Sequence, residues 1–316
     1  MNNPIAVIGT NSWGSAAYEK IIRGSVVDND TLKVAMNTAV KSNLLFVDSA
    51  RDYGFGKGPK LIGMCCPNEI KISSKYTPFT KFKPGQVRES VNKDLKDFGR
   101  TSIEVYWLHM PNDIPQYMEE LIALYREGKI ENIGVSNFNL QECKIAKAVL
   151  DKEGIPLFGV QNHYSLIDRE WEKNGLLSWC KENGIQFWAW AVLEEGILTG
   201  PKQKGEKFAI MKAIYSRKRR KLNRLFALMK KVAKRHDMTI PQVAISFVAN
   251  KGIVPICGCR KPYQVEQLGI AANTKLSKAE MKKLEEVADE LNVKVLGPDM
   301  FRFAVRKQSV TRRKRL

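Results

Sequence analysis

A chain of 316 residues with 44% apolar side chains can bury a sizeable core, and it is too apolar to be disordered throughout. No apolar run approaches the roughly 20 residues of a bilayer span. The opening MNNPIAVIG lacks a basic leader with a long apolar stretch behind it, so a cytoplasmic protein without membrane contact is expected. The formal net charge of +19 raises nucleic acid as a partner, but the excess sits largely in 217–235 and 306–316 without the interleaved aromatic residues of a base-stacking groove. Nucleic-acid binding is therefore not expected, and the basic residues read as a solvated face.

Apolar runs of strand length alternate with longer helical patterns along the whole chain. The strands are predicted at 5–9, 44–48, 70–75, 103–109, 130–136, 158–164, 186–191 and 253–256. Helices are predicted at 31–42, 57–64, 85–98, 114–127, 140–152, 171–183, 222–236 continuing through 241–250, and 262–272. Strand-then-helix repetition implies a parallel sheet, and eight such units in this length suit a closed (β/α)8 TIM barrel. An open doubly wound sheet would carry GxGxxG after its first strand, whereas GTNSWG has the wrong spacing. One α/β domain over 1–316 is expected, with an extra helix at 278–291 capped by Ser277 and Glu280, and a basic tail at about 304–316. In 222–233 the stripe Leu222, Leu225, Phe226, Met229, Val232 and Ala233 predicts an amphipathic helix with its basic side outward.

The six cysteines show no CxxC spacing and the three histidines lie far apart, so no metal site is expected and the thiols read as reduced and structural. In a barrel of this kind the working residues stand at the C-terminal strand ends. The stretch FVDSARDYG (46–54) places Asp48 at the end of the second strand and Tyr53 in the loop beyond. The third strand ends in Lys75, with Lys71, Ser73 and Lys75 on the inward face. The fourth ends in His109, the fifth in Ser136-Asn137, the sixth carries Gln161-Asn162, and the seventh carries Trp188 and Trp190. Singly, each has a structural explanation. Together, a carboxylate, a phenol, an ammonium and an imidazole converge on one mouth. An ammonium about 4 Å from a phenol is worth roughly 4 kcal/mol at an effective dielectric near 20, so Lys75 is expected to make Tyr53 a better acid. Asp48 would hold Lys75, and a neutral His109 would orient a carbonyl. Such a site protonates an oxyanion as it forms, with a nicotinamide hydride as the natural electron source.

These residues resemble the aldo-keto reductase family over most of the chain. FVDSARDYG, SSK and YWLH are similar to the segments that carry its catalytic residues, here Asp48, Tyr53, Lys75 and His109. IGVSNF and VQNHYS resemble those holding the nicotinamide carboxamide, which implies Ser136, Asn137 and Gln161. WAWAVLEEGILTG resembles the run that stacks on the ring and meets the pyrophosphate, implying Trp190, Ala191 and Leu193. VPICGCRKPYQVEQ resembles the adenosine-phosphate segment, implying Gly258, Arg260, Gln264 and Gln267. The chain departs from the family pattern at Ala191-Val192, where Ser-Pro is usual, at Gln267-Leu268 near the adenine, and at Gly58-Pro59. The resemblance implies an NADPH-dependent reductase of an aldehyde or ketone with Tyr53 as proton donor, NADH being the lesser expectation. The alternative is a nicotinamide-binding sensor on the same barrel. The substrate would be a small carbonyl compound, the default assembly a monomer, and the pocket lined by Trp13 and Phe301 (with Phe303) from the loops 11–30, 111–117, 202–215 and 294–316. Residues 202–207 read as a flap over the cofactor.

Overall fold

Eight parallel strands close in sequence order into a barrel. They are β1 (Val7–Gly9), β2 (Phe46–Asp48), β3 (Lys71–Tyr76), β4 (Val105–Leu108), β5 (Ile133–Ser136), β6 (Leu157–His163), β7 (Gln186–Trp190) and β8 (Val254–Gly258). The computed structural model describes residues 4–201 and 219–295, and the statements below concern those residues. The flap 202–207, Phe301, Phe303 and the basic tail lie outside them. Because helices cover the outside and side chains fill the inside, the strands are buried on both faces, which is why they read as near-continuous apolar runs.

The barrel interior is a packed core. Val7, Phe46, Val105, Trp107, Trp188, Val254 and Ile256 form one cluster there. The rings of Trp107 and Trp188 lie 5.1 Å apart, and Phe46 meets Trp188 edge-on at 5.4 Å. Glycine on the neighbouring strand makes room for this: a Cβ on Gly134 would fall 2.3 Å from the Trp107 ring. With the interior plugged by indoles, polar inward-facing side chains collect at the C-terminal mouth.

The helices run α1 (Ala16–Arg23), α2 (Asn29–Lys41), α3 (Gly58–Cys65), α4 (Gln86–Phe98), α5 (Ile114–Arg126), α6 (Leu140–Asp151), α7 (Glu170–Lys173), α8 (Leu176–Glu182), α9 (Asn223–Arg235), α10 (Ile240–Asn250), α11 (Pro262–Asn273) and α12 (Lys278–Leu291). Three differ from the sequence expectation. α1 falls inside the predicted loop 11–30; it has two turns, too few for periodicity to declare it, and is held by a Ser15 cap and a left-handed Gly24. The single helix predicted at 171–183 is broken into α7 and α8, because Gly175 takes φ +84°. The helix expected to run on from 222–236 through 241–250 is two, α9 and α10, parted where Asp237 takes φ +50° and Thr239 caps the second. On α9 the predicted stripe Leu225, Phe226, Met229, Val232 and Ala233 is buried. α12 starts at the expected Ser277–Glu280 capping box and pairs with α9 through Arg224–Glu290 and Arg235–Glu280. No helix among the described residues is long and apolar enough to cross a membrane.

Candidate active site

The site is built outward from the end of β2. There Asp48 pairs in register with Ser73 of β3, which turns both side chains inward at the mouth. Asp48 accepts three hydrogen bonds: from Lys75 Nζ at 2.5 Å, Ser73 Oγ at 2.6 Å and Gln161 Nε2 at 2.9 Å. Lys75 is fully buried, so its ammonium has no water to lean on; it also donates to Ser49 O at 2.6 Å and to Tyr53 Oη at 3.5 Å. A buried cation is tolerated when paired and hydrogen-bonded in this way. Burial pulls the lysine's pKa down and Asp48 pushes against it.

Tyr53 follows in a short turn. Arg51 braces that turn from below, with its guanidinium on Asp94 Oδ1 at 2.8 Å, Asp97 Oδ2 at 2.6 Å and Gly56 O at 3.1 Å. Gly54, at φ +60°, lies so close to the β1 loop that a Cβ there would sit 2.4 Å from Trp13 O. The phenol's acidity departs from the sequence expectation. Burial raises the pKa of Tyr53 well above its ordinary value, and the Asp48 charge raises it further. The ammonium expected to lower it is neutralised by Asp48 at 2.5 Å, nearer than the phenol oxygen at 3.5 Å. Tyr53 is thus held in its protonated form.

His109 stands one residue past β4, its N–H on Tyr76 O at 2.9 Å. Its ring meets Tyr53 edge-on at 6.4 Å between centroids, and Nδ1 lies 2.7 Å from Thr77 Oγ1. Burial, with Lys75 adding to it, holds its pKa well below the usual histidine range, so the ring is neutral, as expected from the sequence. The sequence carries no signal for Thr77, which before Pro78 reads as an ordinary turn residue.

Across the mouth stand the residues implied for a nicotinamide. Ser136 Oγ donates to Gln161 O at 2.7 Å, and Asn137 Nδ2 donates to His109 O at 2.9 Å and Ser136 Oγ at 3.2 Å. Gln161 Nε2 is taken by Asp48. Both N–H groups of the Asn137 amide and one of the two on Gln161 are thus engaged within the protein. Their amide oxygens accept no hydrogen bond among the described residues, which leaves acceptors suited to the NH2 of a carboxamide. Trp190, at the end of β7, is half-buried, so the acceptor pair and the accessible part of an indole fit a nicotinamide ring. Trp190 also packs edge-on at 4.8 Å against His163, a residue the sequence reading passes over. His163 lies 3.0 Å from Asp168 Oδ2 and 3.2 Å from Glu194 Oε2. Burial opposes its charge, but the two carboxylates outweigh burial and push its pKa up to about 10.

The phosphate side fits less fully. Ala191 and Leu193 stand on the loop after β7 as expected, but without the usual hydroxyl, and that loop bears Glu194 and Glu195. Ala191, Glu194 and Glu195 all adopt left-handed backbone, with φ of 59°, 48° and 52°. The strain is held by polar contacts: Ser165 Oγ donates to Glu194, and the buried Arg219 donates to Gly196 O and Thr199 Oγ1. Arg219 is therefore a structural clamp, although it belongs to the run read as a solvated basic face. At the end of β8, Gly258 is exposed. Arg260, implied for the adenosine phosphate, instead pairs with Glu19 at 3.0 Å and donates to Ser25 O and Oγ. Gln264 Oε1 accepts from the Arg260 and Lys261 backbone N–H groups as a helix cap, and Gln267 meets Gln242 through its backbone carbonyl. Trp13, expected in the substrate pocket, is fully buried with its indole N–H on Cys259 O; it is core, because the loop after β1 folds inward over β8. All six cysteines are buried and unpaired by disulfides.

The chain is similar to known proteins in sequence and in fold. A family model described as "Aldo/keto reductase family" matches residues 6–289. The chain is 26% identical to pyridoxal reductase, chloroplastic, of Arabidopsis thaliana over 308 residues, 89% of this chain and 82% of the relative. It is likewise 26% identical to the NADH-specific methylglyoxal reductase of Escherichia coli (strain K12), covering 80% of this chain and 86% of the relative. Its fold matches the crystal structure of an aldo/keto reductase from Klebsiella pneumoniae in complex with NADP and acetate, with a TM-score of 0.71 at 21% identity over 90% of this chain and 91% of that one.

Proposed function

The chain belongs to the aldo/keto reductase family, and from that premise we propose that it reduces an aldehyde or ketone to the alcohol, with Tyr53 delivering the proton. The observation that carries the reading is the fully buried Lys75, shared between Asp48 and the Tyr53 hydroxyl at the barrel mouth. A nicotinamide held at the mouth would supply the hydride, from its C4 to the carbonyl carbon. The acceptor amide oxygens of Asn137 and Gln161 would hold the carboxamide, and Trp190 would lie against the ring. His109 donates to the carbonyl oxygen and turns it toward Tyr53. As charge develops on that oxygen, Tyr53 gives up its proton. Lys75, with Asp48 behind it, steadies the resulting phenolate until the proton is replaced. The phenol need not be acidic for this, since an alkoxide is a far stronger base than a phenolate.

We assign NADPH as the cofactor. The basic pair that follows β8 supports this in part: Lys261 is exposed there, while Arg260 must exchange Ser25 for a 2′-phosphate. The test combines binding with turnover. Tyr53→Phe should retain quenching of tryptophan fluorescence by NADPH and lose carbonyl reduction by at least about 100-fold. Undiminished reduction by that variant would refute the proton-donor role. Tight NADPH binding by the unaltered protein, with no turnover on a panel of reactive aldehydes and ketones, would favour the sensor instead.

A further inference from the structure

A neutral imidazole exists in two forms, and only one of them can orient a carbonyl. With the proton on Nε2 the ring donates toward the mouth; with the proton on Nδ1 it presents a lone pair there, which a carbonyl oxygen avoids. What Nδ1 touches therefore decides what His109 can do.

Nδ1 faces the hydroxyl of Thr77 at 2.7 Å, and that same hydroxyl lies 3.3 Å from Asp52 Oδ1. The hydroxyl has one proton to give. If it goes to Asp52, His109 must donate through Nδ1 and becomes an acceptor at Nε2. If it goes to Nδ1, the ring proton is placed on Nε2. The 2.7 Å separation is that of a full hydrogen bond, whereas 3.3 Å lies beyond the usual range for a hydroxyl donor to oxygen. We propose that Thr77 is a positioning residue, whose hydroxyl donates to Nδ1 of His109 and so keeps the ring in the form protonated on Nε2.

The backbone holds the pair together. His109 N–H donates to Tyr76 O at 2.9 Å, tying the ends of β3 and β4, and Phe79 N–H closes back on Thr77 O at 2.9 Å. Pro78 disfavours the helical region for the residue before it, which helps to keep Thr77 beside the ring. The ring is buried and neutral, so its tautomer, rather than its charge, sets its hydrogen-bonding role.

The proposal deepens the carbonyl-reductase reading and rests on it for its catalytic consequence. With histidine labelled in 15N and the His109 signals assigned by loss in His109→Asn, the unaltered protein should show a neutral ring protonated on Nε2. Thr77→Val, which keeps the shape and removes the donor, should shift the ring toward Nδ1 protonation or an average of the two forms. Its kcat should fall about 10- to 100-fold while NADPH affinity stays within about two-fold, and Thr77→Ser should restore both readouts. A ring protonated on Nδ1 in the unaltered protein would overturn the proposal, as would a valine variant with unchanged tautomer and kcat, or a serine variant that restores neither. An Nε2-protonated ring that moves on Thr77→Val, in a protein that turns over no carbonyl, would uphold the hydroxyl's hold on the ring and overturn the reductase reading, so the two fail separately.

Discussion

Lys75 must keep its charge without water, and the way it does so sets the character of the phenol beside it. Its ammonium is drawn to Asp48 at 2.5 Å and Ser49 O at 2.6 Å, and it reaches Tyr53 only at 3.5 Å. The phenol therefore faces an ion pair that is nearly neutral as a unit, inside a site that disfavours an anion. Burial and Asp48 together place its pKa well above the ordinary 10. The donor form consequently persists into the alkaline range. The pH profile of kcat/KM for carbonyl reduction is expected to show no falling limb from Tyr53 below that ordinary value. A limb centred between about pH 7 and 8 that disappears in Tyr53→Phe would show that the ammonium does acidify the phenol.

At the scale of elements, the turn between β2 and α3 does most to place Tyr53. It is anchored at three points: Arg51 N–H on Lys75 O, the Arg51 guanidinium on Asp94 and Asp97 of α4, and Gly54 pressed against the β1 loop. Asp94 is buried deeply enough that its carboxyl is pushed up to about 6 even with Arg51, Ser74 and Tyr106 bonded to it. Gly54→Ala meets two obstacles, a φ of +60° and a contact of 2.4 Å with Trp13 O. It is expected to cost about 2–4 kcal/mol in urea unfolding and to lower kcat more than cofactor affinity, because the turn can relax only by moving Tyr53. A variant with unaltered unfolding midpoint and kcat would show that the β1 loop yields instead. The Asp and Tyr of this stretch can be read from FVDSARDYG, but the bracing cannot. Arg51 sits 43 residues from Asp94, and local pattern carries no trace of that pairing.

For the molecule as a whole, the mouth is held by charge as well as by packing. His163 on β6 joins Asp168 and Glu194, and Arg219 ties down the strained loop that follows β7. The His163 pKa is raised to about 10 from an ordinary 6.5. The folded state thus binds this proton more tightly than the unfolded chain, and the stabilisation is full below about pH 6.5 and lost as pH rises through about 10. The gap in thermal midpoint between the unaltered protein and His163→Gln should be widest near about pH 6 and shrink toward about pH 10. A gap of constant size would mean that the histidine contributes packing and no linked proton.

Much of this protein is legible before folding because its signals are local. Strand-length apolar runs alternating with helical stripes specify a closed parallel barrel, and polar residues just past those runs must emerge at its mouth. Asp48, Tyr53, Lys75 and His109 are found on that basis, and α9 and α12 by periodicity and capping. The tertiary structure alone decides which way shared groups turn: Lys75 toward Asp48 more than Tyr53, Arg260 toward Glu19, Trp13 into the core, the Thr77 hydroxyl toward His109. Each of those choices is a competition among partners brought together from distant parts of the chain. For Lys75 and Thr77 it is settled by differences of an ångström or less, and for Trp13 by loss of water, neither of which one-dimensional spacing encodes.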